Sequence, residues 1–185
     1  NMLRKLMFFI VLPGLMVLYQ CSKNENPTPP VPGPDSTTIQ MDFSFVYGNQ
    51  DFVLNQVYNY PNGYNVKYDN VLVYISNVFF IDDQGNKAKG PEIILADKAI
   101  DSNAVEFKIP EGNYTQIEYS IGVPTELNGT DNPDFNAALY SSDHPLSLNN
   151  GMYWAWNSGY RFVRVDGRVN SNPMLDDEYD VLLSI

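Results

Sequence analysis

Few residues in this chain could do chemistry. There is a single histidine, His144, a single cysteine, Cys21, and two tryptophans, Trp154 and Trp156. A Ser-His-Asp arrangement would have to pass through His144, and no Gly-x-Ser-x-Gly elbow exists to present a serine. A phosphate-cradling glycine loop, a zinc-type cysteine cluster and a His-Glu-x-x-His pair are also missing from the sequence. Carboxylates are plentiful, among them Asp131, Asp134, Asp143, Asp176, Asp177 and Glu178. Their spacing matches no EF-hand, so they read as a solvated face. What remains is aromatic. Trp154 and Trp156 stand two apart, which in a strand turns both rings to one face and Tyr153 and Ala155 to the other. Such a pair either packs in a core or forms an open platform that stacks on sugars or docks a partner protein. The chain reads as a binding protein and not as an enzyme.

The segments ahead of these residues say where such a protein would work. Arg4 and Lys5 precede an apolar run from Leu6 to Leu18. That run is short of the roughly 20 residues that cross a bilayer but suits a secretory leader, so residues 1–20 are expected to be a signal peptide. Cys21 follows at once, and a lone thiol closes no internal disulfide. Its position is similar to the lipobox cysteine of bacterial lipoproteins, which is acylated and becomes the first mature residue, with Gln20 standing where those proteins usually carry Gly, Ala or Ser. Acylation there would anchor the protein stably to a membrane. Residues 21–38 are polar and proline-rich, an extended tether, and the folded domain is expected over 39–185. The expected location is the bacterial envelope, as an outer-membrane lipoprotein facing the periplasm or the cell surface. A formal charge of −11 repels phosphate backbones and argues against nucleic acid as a partner.

In the domain, Phe43, Phe45 and Tyr47 alternate with polar or smaller residues at the two-residue period of a half-buried strand. Similar β-branched and aromatic runs recur at Val71–Ile81, Ile93–Ala96, Val105–Ile109, Ile117–Ile121, Met152–Trp156, Tyr160–Val165 and Tyr179–Ile185. Between them lie turn residues at Pro61-Asn62-Gly63, Asp82–Asn86, Pro110–Asn113 and Asn149-Asn150-Gly151, which imply hairpins. No dozen residues show an apolar 3.6-residue period, so crossover helices for a parallel sheet are missing. The pattern predicts an all-β, antiparallel sandwich of Ig-like or jelly-roll-like type, with a partly open barrel as the alternative. The polar segment Val123–Leu148 breaks the regularity and is expected to be a functional loop or a short helical insertion.

The segment Asn150-Gly-Met-Tyr-Trp-Ala-Trp-Asn-Ser-Gly-Tyr160, continuing through Arg161-Phe162 to Asp166-Gly167, resembles the signature of the MbnP-like family of bacterial envelope proteins. So do Val73–Val78 and the pair Ile109–Tyr114 and Ile121–Val123, so that the resemblance covers about residues 39–167. It implies a β-sandwich whose studied members bind copper through histidines and a tryptophan oxidised to kynurenine. It also implies a partner, a di-haem enzyme similar to cytochrome c peroxidases. Carried onto this chain, the modified residue is Trp154 or Trp156, and the donors are His144 with Met152 as a soft auxiliary. A single imidazole leaves a site of that kind incomplete. Tyr179–Ile185 reads as a strand without a polar tail, so a missing C-terminal portion could supply a further donor; the alternative is an intact chain that has lost the metal. A carbohydrate- or protein-binding lipoprotein module without metal is the competing function.

Overall fold

A computed structural model describes residues 35–60, 63–100, 103–129, 136–154, 159–170 and 181–184. The chain divides into two units, Asn1–Gly33 and Pro34–Ile185, and every described residue belongs to the second. In chain order the strands are β1 (Ser36–Asp42), β2 (Val46–Tyr47), β3 (Gln50–Asp51), β4 (Val57–Asn59), β5 (Asn65–Asp82), β6 (Lys87–Lys89) and β7 (Ile93–Asp97). They continue as β8 (Ala104–Pro110), β9 (Tyr114–Ile121), β10 (Tyr153–Trp154), β11 (Gly159–Tyr160), β12 (Val163–Val169) and β13 (Val181–Ser184). One helical turn, α1 (Thr125–Asn128), and 3-10 turns at Ala137–Leu139 and Leu148–Asn150 interrupt the strands within and just after the polar segment. That segment is thus a short helical insertion where it is described. Cys21 lies outside the described residues, and β1 begins at Ser36, slightly ahead of the expected domain start at Ile39.

The apolar run at Val71–Ile81 is the spine of the fold, extended at both ends into the 18-residue β5. β12 runs along one edge over Val66–Val73, and β9 takes over the same edge from Ile75 to Asp82. Tyr74 marks the handover. Its N–H donates to the Phe162 carbonyl and its own carbonyl accepts from the Gly122 N–H, each at 2.9 Å. β4, β7 and β6 pair in turn with the opposite edge, and β13 adds itself outside β12. All these pairings are antiparallel, and the sheets do not close into a barrel.

The second layer is the antiparallel pair β1–β8, with Ile39 opposite Phe107. Its inward residues Ile39, Met41, Val105, Phe107 and Ile109 pack on Ile75, Val78 and Phe80 of β5, on Ala88 of β6 and on Ile94 and Ala96 of β7. This is the interior of the sandwich. The alternation read at Phe43 and Phe45 is kept, since both point into the same core just past the end of β1.

β5 is covered on its other face as well. Leu72 and Tyr74 belong to a separate core, while Ile75, Val78 and Phe80 face β1–β8. The switch of phase comes at Asn77, whose φ of 51° is left-handed. Between Ser76 and Phe79, β5 carries one residue more than β9, a bulge that resets the two-residue alternation. Asparagine tolerates the left-handed region where the neighbouring β-branched residues would not.

Two expected hairpins are corrected by this topology. Pro110–Asn113 joins β8, which pairs with β1, to β9, which pairs with β5, so the turn passes between layers. Asn149-Asn150-Gly151 closes a 3-10 turn capped by left-handed Gly151 and leads into β10. Turn-forming residues report a change of direction and leave the next pairing partner open.

Candidate functional site

The second core forms where the insertion folds back on β5. Leu72 and Tyr74 meet Val123, Ala137, Leu146, Met152 and Tyr160 there, with Leu127, Tyr140 and Tyr153 packed around them. Around Pro145 and Leu146 the loop is held down through its backbone carbonyls. The Tyr74 hydroxyl donates to the Pro145 carbonyl at 2.8 Å and the Tyr160 hydroxyl to the Leu146 carbonyl at 2.6 Å. Asn150 Nδ2 donates to the same Pro145 carbonyl at 2.7 Å. Burial, with a further contribution from neighbouring tyrosines, pushes both hydroxyls well above the ordinary phenol range. They therefore remain donors at physiological pH.

His144 sits at the start of this pinned turn. Its ring stacks on Tyr140 with centroids 4.4 Å apart, and its Nδ1 accepts the Leu146 N–H at 3.0 Å. A neutral imidazole accepting at Nδ1 carries its proton on Nε2, so neither nitrogen has a lone pair free for a metal. Met152 has 0% exposure and is packed in the second core among Leu72, Tyr74, Leu146 and Tyr160. Its sulfur fills space as a hydrophobic side chain does. Among the described residues no group of three or more His, Cys, Asp or Glu could hold a metal ion.

β10 and β11 form a hairpin, Tyr153 opposite Tyr160 and Trp154 opposite Gly159. Trp156 and Ala155 lie outside the described residues. Tyr153 turns inward, its ring 5.0 Å from that of Tyr160, and Trp154 turns outward and is 42% exposed. The two-residue period set these on opposite faces; Tyr74 and Tyr160 decide which face is inside. Arg161 stands diagonally across the hairpin from Trp154, its guanidinium carbon 4.8 Å from the indole centroid. Sequence reasoning missed Arg161 as a site residue. Counting two residues past Gly159 finds it, but only once the hairpin register is known.

The hairpin is held from the insertion. Asn128, the last residue of α1, accepts the Tyr160 N–H on its Oδ1 at 2.6 Å. Gly159, at a left-handed φ of 73°, lies so close that a Cβ would run into the backbone carbonyl and side-chain amide of Asn128. Nothing local in Thr125–Asn128 announces this contact across about thirty residues of sequence.

A two-layer antiparallel β domain whose sheets do not close into a barrel is a β-sandwich. The family described as MbnP matches residues 36–181, and this chain belongs to it. Among solved structures it resembles MbnP from Methylosinus trichosporium, with a TM-score of 0.59 and 13% identity over 82% of this chain. At that identity the likeness is one of fold. The match spans 62% of the length of that protein. No curated protein matches the chain.

Proposed function

We propose that this chain is a lipid-anchored protein of the bacterial envelope that works by binding, and that its binding surface is the outer face of the β10–β11 hairpin. Trp154 carries the reading, an indole left 42% exposed beside a guanidinium. Large aromatic rings are ordinarily buried; one held in water on a fixed hairpin is suited to lie against the CH face of a sugar. The acylated Cys21 and the proline-rich segment would hold that surface away from the membrane. Affinity electrophoresis of the mature protein through gels containing dextran, xylan or pectate tests this. Retardation is expected in at least one gel, weakened about tenfold in apparent Kd by Trp154→Ala, because one aromatic contact is worth on the order of 1–2 kcal/mol. Equal migration of parent and variant in every gel sinks the proposal.

Copper handling, with a di-haem peroxidase-like partner that converts a tryptophan to kynurenine, is the second reading. Family membership favours it, and so does the presence of His144, Met152 and Trp154 in one stretch of chain. It requires His144 to give up the Leu146 N–H and further donors to join from outside the described residues. On this reading, protein produced together with such an enzyme gains the mass of the kynurenine conversion and takes up copper, and His144→Ala loses the uptake. An unmodified intact mass with no copper uptake removes it.

A further inference from the structure

The basic residues after the hairpin are treated in two ways. Arg164 pairs with Asp166 at 2.6 Å and Arg168 with Asp69 at 2.8 Å. Arg161 makes no ion pair among the described residues, although the chain has 22 acidic residues against 11 Lys and Arg. Its backbone is fixed, the N–H donating to the Met152 carbonyl at 2.8 Å. Its guanidinium lies against Trp154, and its Nε is shut off from solvent with no hydrogen-bond partner. A ligand arriving from solvent therefore meets the terminal Nη groups of Arg161 and not Nε.

Stacking on an indole orients a guanidinium, which leaves its N–H groups to donate in the plane of the fork. That geometry matches the two oxygens of a carboxylate. The exposed part of the indole beside it offers a flat apolar surface. We propose, resting on the reading of Trp154 as the ligand surface, that the ligand is an acidic saccharide: a uronate whose carboxylate is received by Arg161 while its ring lies on Trp154. The negative charge of the protein as a whole does not forbid this. At physiological ionic strength exposed charges more than about 8 Å away are largely screened, and the nearest charge dominates.

Isothermal titration with trigalacturonate and with its methyl ester tests the assignment, because the two probes share every ring atom and differ in whether the carboxylate is masked. The acid is expected to bind at least about tenfold tighter than the ester. Arg161→Gln should erase that preference with an unchanged melting temperature. Arg161→Lys should keep only part of it, since an ammonium has no planar fork. Acid and ester bound equally well by the parent protein would overturn the inference and leave the Trp154 surface standing. Neither probe binding, with Trp154→Ala also without effect on any polysaccharide, would overturn both. Should Arg161→Gln fail to fold, the comparison of the two probes on the parent protein still decides.

Discussion

Replacing Tyr74 with alanine is expected to remove about 3–5 kcal/mol of folding stability, while Tyr74→Phe removes only about 1 kcal/mol. Tyr74 has 0% exposure and is among the largest fully buried side chains described. Its ring meets Tyr160 edge to face at 5.9 Å and fills the second core between β5 and the insertion. Removing the ring opens a cavity there, and the surroundings cannot simply collapse. The backbone of Tyr74 is tied to both Phe162 and Gly122, and the ring of Phe162 already lies 2.6 Å from where a Cβ on Gly122 would stand. The hydroxyl matters less because the Pro145 carbonyl it serves keeps its second donor, Asn150 Nδ2 at 2.7 Å. Urea unfolding of the two variants beside the parent measures both numbers. Equal losses would mean that the hydrogen bond, and not the ring, holds the insertion to the sheet.

The same residues show what the sequence could and could not say about the fold. The runs that became β7, β8, β9 and the second half of β5 were legible because β-branched and aromatic residues crowd them. The first half of β5, Asn65–Asn70, was not, because its polar residues are held by pairing with β4 and β12 from distant parts of the chain. β6, reading Lys-Ala-Lys, is too short and too polar to show a period, yet it pairs with Phe79–Ile81. Long-range partners also explain why one strand could serve two cores. The run Val71–Ile81 was read as one uninterrupted strand, so the bulge at Asn77 went unseen, and the second core behind Leu72 and Tyr74 depends on the insertion, where the pattern is silent.

The site divides along the same line. That Trp154 and Tyr153 face opposite ways follows from strand geometry alone, and the scarcity of His144 marked it for attention. Its use as an acceptor for the Leu146 N–H belongs to a local turn, His144-Pro145-Leu146, that the residue types do not announce. Met152 shows what packing adds to residue type. A thioether is a soft-metal donor in principle, but here it is sealed among Leu72, Tyr74, Leu146 and Tyr160.

Gly159→Ala is expected to cost about 2–5 kcal/mol and to abolish binding at the hairpin, because two penalties coincide at one position. An alanine in the left-handed region costs roughly 1–2 kcal/mol. Its Cβ would in addition meet the carbonyl and side-chain amide of Asn128, and moving Asn128 breaks its hydrogen bond from the buried Tyr160 N–H. A buried donor so abandoned costs about 1–3 kcal/mol more. Gly48→Ala separates the two contributions. Gly48 also has a positive φ, 62°, but nothing lies within 4 Å of its missing Cβ, so that variant should show the conformational penalty alone. Thermal and urea unfolding of the pair then isolates the part due to Asn128. If Gly159→Ala proves no less stable than Gly48→Ala, Asn128 yields without cost and the hairpin is not pinned from α1. Trp154 and Arg161 would then be free to reorganise, and the ground for treating their geometry as a preset surface would be gone.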